Sequence, residues 1–582
     1  MAHHQTSGEF VSRDGSALFF RAWAPPEPSD KAVILLHRGH EHSGRLAGLF
    51  EELDLDDFWG FAWDQRGHGH SPGERGYAES YAKMVRDLDD FVHFVSEKHS
   101  IPINNMVVVA NSVGAVTAAT WVHDYAPAIR AVVMAAPAFR IKLYVPFAIP
   151  LLRLFARIKR KASIKSYVKS RLLTHDPIEA KAYDDDPLIT REIAVNILLE
   201  LHDTARRIVA DAGAIHTPTL VLSAGSDWVV DNRPQRSFFN SLSSQLKELY
   251  VLPGFYHGVF YEKERRQAIE HARRFIEKAF HETPSTDRLI DADKRGYTRQ
   301  EYERLLAPAP PLSAIGYAFQ RLATRTVGRL SEGIRLGWRS GFDSGEMLDY
   351  VYENRARGWT PVGRVIDRIY LDTIGWRGIR RRGKNLESCL ARTIDIVAEK
   401  KCQPRILDIA AGAGRYVLNV VAAKRALGIS VQLRDNTEAN LDVARGIAGS
   451  FGLESVDIRL GDAFDSASIA SAAPAPNIVI VSGLYELFPD NGQVGRSLAA
   501  IADVIEPGGF LIYTSQPWHP QVELIARTLI NRDGKPWIMR RRTQAEMDAL
   551  VRHVGFEKTT MEVGPYGIFS VAVAQKQGGP DV

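Results

Sequence analysis

Ser112 stands between Ala110 and Gly114, directly after three consecutive β-branched residues, Val107, Val108 and Val109. That run reads as a buried parallel strand, and the small residues of 115–121 read as the helix that follows it. A serine on such a strand-to-helix elbow is held in a cramped backbone conformation, so the positions two before and two after it must be small. Its hydroxyl would project from the carboxyl end of a sheet as a nucleophile, with the Val113 amide facing the oxyanion that attack creates. An ordinary buried turn serine is the alternative reading. Residues 32–36 form another apolar strand, and the loop after it, His37-Arg38-Gly39, is where a second oxyanion amide belongs, assigned to Gly39. A different chemistry is written at 404–416, Pro-Arg-Ile-Leu-Asp-Ile-Ala-Ala-Gly-Ala-Gly-Arg-Tyr. Here a strand ends in Asp408 and runs into a turn of small residues that lets the backbone approach a bound ligand. Both turns need the same support, parallel strands covered by helices, so the fold class is α/β.

The stretches LLHRGHEHSGR (35–45), FAWDQRGHGHSPGER (61–75) and VVVANSVGA (107–115) resemble the monoglyceride-lipase, lysophospholipase and S33-like branch of the α/β-hydrolase family, in the family's order. The resemblance implies an acid and then a histidine after the serine, each just beyond a late strand. Strand 219–223 is followed by Asp227 and strand 248–252 by His257. Asp227 would fix the tautomer of His257, which would take the proton from Ser112. Asp231 is the competing acid. The chain departs from the family at Arg38, where the loop ordinarily begins His-Gly, so a cation is expected beside the acyl pocket. His40, His42, His68 and His70 follow the family's structural turns, and no metal site is assigned to them. Over 138–214 the alternation of strand and helix lapses into helical sequence, at 143–161, 163–173 and 190–208, where the family inserts a cap. In it Arg153, Arg157, Lys159, Arg160 and Lys161 follow an apolar block. They read first as a solvated lid face and second as a surface for acyl chains and anionic head groups.

Asp408, Ala410, Gly412 and Gly414 resemble the first motif of class I S-adenosylmethionine-dependent methyltransferases, with Ala410 in place of the first glycine. Later strands agree. Strand 431–435 ends in Asp435, beside Asn436, where that family's acid accepts the ribose hydroxyls. Gly461-Asp462-Ala463 matches the motif that contacts adenine, strand 477–482 ends at Ser482, and Pro507-Gly508-Gly509 introduces a fifth strand. The resemblance implies a Rossmann-like methyltransferase fold and S-adenosyl-L-methionine as the cofactor these residues hold. A nicotinamide-binding Rossmann domain is the rival, but it wants three glycines and predicts neither of the last two turns. Tyr485, Glu486, Trp518 and His519, at the ends of the fourth and fifth strands, are the candidate acceptor-site residues, with purely structural roles as the alternative. Residues 376–384 read as a solvated basic run ahead of a head-group grip.

A chain of 582 residues with 45% hydrophobic and 24% charged residues is expected to be globular and to hold at least two domains. The expected division is an α/β-hydrolase over 1–281 with its helical cap at 138–214, a linker over 282–345, and a class I methyltransferase over 346–577. The linker opens on a compositional break at 282–288 and carries a basic amphipathic helix at 313–339. A net charge of +4 gives no argument for nucleic acid, and Cys389 and Cys402 cannot build a disulfide framework. The amino terminus lacks the basic and apolar pattern of a secretion signal. A cytoplasmic enzyme is expected, peripheral to the inner membrane where cap and linker helices touch lipid. The whole chain resembles bacterial proteins that join these two modules. The function expected is a serine ester hydrolase of the monoacylglycerol lipase or lysophospholipase type, fused to a methyltransferase of lipid metabolism. The alternative is a serine peptidase or thioesterase whose carboxy-terminal half only binds the cofactor or is a degenerate regulatory module.

Overall fold

A computed structural model describes residues 3–159, 161–282, 287–453 and 455–578, and the chain divides into two units, Met1–Ser285 and Thr286–Val582. Arg160 of the basic cap run and residues 283–286 of the compositional break lie outside the described residues.

The first unit is built on β1 (His4–Val11), β2 (Ala17–Ala24), β3 (Ala32–Leu36), β4 (Trp59–Trp63), β5 (Met106–Asn111) and β6 (Ala131–Ala135). A cap with a short ribbon, β7 (Ser163–Lys165) and β8 (Glu192–Ala194), intervenes before β9 (Thr219–Ala224) and β10 (Lys247–Leu252). The main sheet runs β1-β2-β4-β3-β5-β6-β9-β10. It is parallel from β4 onward, with β1 and β2 antiparallel at one edge. This is an α/β-hydrolase sheet. β3, β5 and β6 are buried along their whole length, as unbroken apolar runs require of strands covered on both faces. Helix α1 (Val113–Asp124) leaves β5 without a spacer, and Ala115, Ala118 and Ala119 let it lie close to the sheet.

The cap contains α2 (Ala148–Ile158) and α3 (Val195–Ala210), and α4 (Arg266–His281) closes the unit. The expectation of helix over 163–173 is corrected. β7 pairs antiparallel with β8, setting Ile164 opposite Ile193, and β-branched residues suit that ribbon better than a helix turn.

Among the helices ahead of the second unit's sheet are α5 (Pro311–Arg325), α6 (Glu332–Ser340), α7 (Pro361–Leu371) and the long α8 (Ile374–Glu399). Its strands are β11 (Arg405–Asp408), β12 (Ser430–Asp435), β13 (Val456–Leu460), β14 (Ile478–Val481), β15 (Phe510–Ser515), β16 (Phe556–Val563) and β17 (Ser570–Lys576). Helix α9 (Arg415–Ala423) follows β11. The order is β13-β12-β11-β14-β15-β17-β16, with β17 antiparallel to both neighbours, a Rossmann-like methyltransferase sheet.

The stretch expected as a linker departs most from expectation, because from residue 287 onward it folds into this unit. The single helix expected over 313–339 is two, α5 and α6, separated by a 3-10 turn at Val327–Leu330. Ser331 sets the break: its hydroxyl accepts from the Ile334 amide at 3.1 Å and starts a new helix. Leu336, Phe342, Met347 and Tyr350 then join Trp376 and Phe569 in one apolar cluster, so this segment has a core of its own.

Candidate active sites

Ser112 adopts φ +56° and ψ −112°, a conformation that persists only where neighbours enforce it. Its amide donates to the Ala135 carbonyl at 2.9 Å and its own carbonyl accepts from the Ala138 amide at 3.1 Å, so the end of β6 pins the elbow. A Cβ on residue 114 would stand 2.6 Å from the His37 carbonyl oxygen, which is why Gly114 must be glycine. Beyond the serine, His257 Nε2 lies 2.7 Å from Ser112 Oγ, and His257 Nδ1 lies 2.8 Å from Asp227 Oδ2. The other Asp227 oxygen accepts from the Val229 and Val230 amides at 2.7 and 2.8 Å. Burial raises the Asp227 carboxyl, but His257 and these amides outweigh it and hold its pKa below the ordinary carboxylate range. Facing a carboxylate, Nδ1 carries the ring proton, which leaves Nε2 to accept from the serine hydroxyl.

Asp231 is not brought to the histidine; it caps the next helix through the Arg233 amide and pairs with the Arg233 side chain. Gly39 and Val113 line the same cavity of about 110 Å³ as Ser112 and His257, under Leu143, Tyr167 and Leu198 of the cap. Neither the Gly39 nor the Val113 amide has an acceptor among the described residues, so both donors are open. The cation expected beside the acyl pocket is present, since Arg38 lines this cavity. Arg38 Nη2 pairs with buried Glu41 at 2.7 Å, and its guanidinium lies over the Tyr261 ring at 4.8 Å. Three of the loop histidines have structural partners. His37 Nε2 accepts from the Gln65 amide at 3.1 Å, His68 Nδ1 donates to the Arg66 carbonyl at 2.8 Å, and His42 faces Asp186 at 2.9 Å.

In the second unit β11 ends at Asp408, and the turn that follows uses positive φ at Gly412 (+55°) and Gly414 (+62°). A Cβ on Gly414 would meet Leu433 at 2.6 Å, whereas the space beside Gly412 is open. The Gly412 amide donates to Asp435 Oδ2 at 2.9 Å; the Thr437 amide and the Asn440 side chain satisfy Oδ1 at 3.0 and 2.9 Å. One lone pair of Oδ2 is thus left facing the cavity wall. Asp408 is fully enclosed. Oδ2 accepts from the Tyr416 hydroxyl at 2.5 Å, Oδ1 has no partner, and burial pushes the carboxyl up to about 7. The ends of the strands open into a cavity of about 540 Å³ that Ala410, Gly412, Asp435, Asn436, Asp462 and Ala463 line. Ser482 lies on its wall. Asp462 keeps its carboxylate at the surface, accepting from the Phe464 amide at 2.9 Å.

The four acceptor-site candidates separate. Glu486 and His519 line the cavity; Tyr485 and Trp518 do not. Tyr485 is buried with its hydroxyl 2.9 Å from Ser497 Oγ, and Trp518 packs in the apolar cluster around Trp376. Glu486 Oε1 lies 3.0 Å from Arg382 Nη1 while Oε2 is unpaired, and burial raises its pKa against the pull of Arg382. His519 Nδ1 accepts from the Gln521 amide at 3.0 Å, and burial lowers its pKa to about 4. The ring is therefore neutral with its proton on Nε2, a donor.

Arg382 and Trp376 were not legible as site residues: they stand in the run 376–384 that reads as solvated. The signal was the three-residue spacing of Trp376, Ile379 and Arg382, one inward face of α8. Ile334 and Phe342 of the supposed linker also line the cavity.

Residues 272–576, more than half of the chain, match the family described as "Putative methyltransferase", and residues 27–264 match "Serine aminopeptidase, S33". A protein of Escherichia coli (strain K12), "Uncharacterized protein YnbC", is 47% identical over 585 residues, covering 99% of this chain and 100% of that one. The "Monoacylglycerol lipase" of Mycolicibacterium smegmatis is 23% identical over 269 residues, 46% of this chain and 95% of the lipase. A crystal structure of Paleococcus ferrophilus monoacylglycerol lipase covers 47% of this chain and 99% of its own, with a TM-score of 0.41 at 24% identity. With these matches the chain belongs to the "Putative methyltransferase" family, as an enzyme in which an S33-type hydrolase unit precedes the methyltransferase unit.

Proposed function

We propose that the first unit hydrolyses a fatty-acyl ester of the monoacylglycerol or lysophospholipid type, and that the second transfers a methyl group from S-adenosyl-L-methionine to an apolar acceptor. The observation that carries the first half is the hydrogen-bonded line from Asp227 through His257 to Ser112 beneath an apolar cap. In this reading Ser112 Oγ attacks the ester carbonyl carbon while His257 takes its proton, and the Gly39 and Val113 amides hold the oxyanion. The alcohol departs with the proton that His257 returns. Water then attacks the acyl-serine with His257 as base, releasing the carboxylic acid and restoring Ser112. The monoacylglycerol lipase relative and the aliphatic lining support an acyl substrate.

For the second unit the carrying observation is the turn after β11, where Gly412 is open and its amide holds Asp435 on the cavity wall, while enclosed Asp408, itself not part of that wall, keeps Oδ1 unpaired. Asp408, Ala410, Gly412 and Gly414 would hold the amino-acid part of the cofactor, Asp435 and Asn436 its ribose, and Asp462 and Ala463 its adenine, with Ser482 on the facing wall. When bound, the cofactor supplies an electrophilic methyl group. Glu486, with a free oxygen and a raised pKa, takes the acceptor's proton; His519 donates from Nε2 and orients the acceptor. Ile334, Trp376, Leu524, Leu529 and Trp537 make the rest of the cavity apolar, which favours a lipid-like acceptor.

The test has two arms on the full chain. Calorimetric titration of S-adenosyl-L-methionine should show binding in the wild type that Asp435→Ala removes; no binding to folded wild type rejects the cofactor. A panel of monoacylglycerols, lysophospholipids, acyl thioesters and aminoacyl anilides should favour the esters, and preference for the anilides would make the first unit a peptidase.

A further inference from the structure

Two helices of the second unit turn an apolar face to water. On α5, Leu312, Ile315, Phe319 and Leu322 recur at three- and four-residue steps and are all exposed, Phe319 at 71%. On and just before α7, Trp359, Val362, Val365 and Ile369 do the same, Trp359 at 73%. The 3-10 turn Val327–Leu330 packs against both helices and joins the two faces, and its Val327 is exposed as well.

The turn and α7 are anchored to the unit. Buried Asp367 accepts from the Ser331 hydroxyl at 2.5 Å, the Gly333 amide at 3.0 Å and the Arg357 amide at 2.8 Å, tying α7 to the start of α6. A Cβ on Gly363 would stand 2.4 Å from the Leu330 carbonyl oxygen, so the turn sits directly on α7. α7 is thus held through buried Asp367 and Gly363, while the large apolar residues of both helices are left out. Folded monomers seldom leave so many together on one face without a partner for them.

We propose that α5, the following turn and α7 form a docking surface for an anionic lipid bilayer. Charge selects that occupant. Arg321, Arg325, Arg329 and Arg364 are exposed around the apolar residues, and residues 311–331 contain no acid. A second copy of the chain seated on the same face would set these arginines against their own counterparts. The surface is also continuous with the methyltransferase cavity. Ala323 and Thr324, on the other side of α5, line that cavity, and exposed Gln320 stands at its rim. A bilayer on α5 therefore meets an apolar chamber one helix away. Among the described residues no helix is long and apolar enough to cross a membrane, so the contact is peripheral.

The test is flotation of the full chain with phosphatidylglycerol–phosphatidylcholine vesicles, which needs no catalysis and so stands apart from the proposed reactions. Wild type should float with anionic vesicles and less so at high salt. Phe319→Glu with Val365→Glu, both at exposed positions, should cut the bound fraction at least about tenfold with an unchanged melting temperature. Leu154→Glu in the cap serves as the control for a contact through the first unit. The proposal is overturned if the double variant floats like wild type, or if wild type ignores anionic vesicles. It is equally overturned if the double variant dissociates a lipid-free dimer in sedimentation, which would make the face a self-association surface.

Discussion

The two units differ in how their candidate catalytic side chains are satisfied. In the hydrolase, Asp227, His257 and Ser112 satisfy one another, and the open donors are the amides of Gly39 and Val113 together with Nε and Nη1 of buried Arg38. On the wall of the methyltransferase cavity Glu486 Oε2 and Arg382 Nε have no partner, and neither does Asp408 Oδ1, enclosed at the end of β11. A site that reacts through its own nucleophile is finished as soon as the chain folds. A site that must grip a small charged ligand keeps buried valences open, at a cost of roughly 1–3 kcal/mol for each unpaired group. The contrast predicts which substitutions act on chemistry and which on binding.

The largest effect belongs to the first unit. Ser112→Ala should lower ester hydrolysis by roughly 10³–10⁶-fold in a kinetic assay, while leaving titration of S-adenosyl-L-methionine unchanged. Loss of cofactor binding in that variant would break the comparison. Next, Asp227→Asn should cost about 10⁴-fold in kcat, since an amide favours the wrong tautomer of His257, whereas Asp231→Asn should cost only a few-fold. Equal losses would return Asp231 to candidacy. The ionised Asp227 also contributes stability that is present above the ordinary carboxylate range and is lost as pH falls through its lowered folded value.

In the second unit the effects lie on affinity. Asp435→Ala should weaken the cofactor about 10–100-fold by calorimetry, since it removes the carboxylate that both holds the Gly412 amide and faces the cavity. Asp408 gives a sharper signature. Raised to about 7 by burial, it is protonated below that pH, and a ligand ammonium beside it would pull its pKa down. Binding below about pH 7 should therefore release a proton, seen as a dependence of heat on buffer ionisation, and none well above it. Asp408→Asn should abolish the release. The same raised pKa means that, without ligand, Asp408 opposes folding as pH rises through about 7. The smallest effect is at Arg38. Because lysine keeps the positive charge that pairs with Glu41, Arg38→Lys should change the ratio of kcat/KM for anionic and neutral esters by no more than about twofold.

The sequence determined what lies within one strand and the turn that follows it. Val107–Val109 and Gly114 dictate the Ser112 elbow, and Asp408 and Gly414 dictate the second turn, because a strand, a steric limit and a helix start are local properties of adjacent residues. Asp227 and His257 were legible through the family resemblance, which places an acid and then a histidine just past two late strands. Tertiary structure alone decided what crosses between elements. It drew Arg38 onto Glu41, turned Tyr485 away into the core, and brought Arg382 of α8 to Glu486. It also folded the supposed linker around an apolar cavity while leaving the outer faces of α5 and α7 to solvent. Composition marks a helix as amphipathic and basic. Which of its faces is covered depends on packing partners distant in sequence, and no local pattern records them.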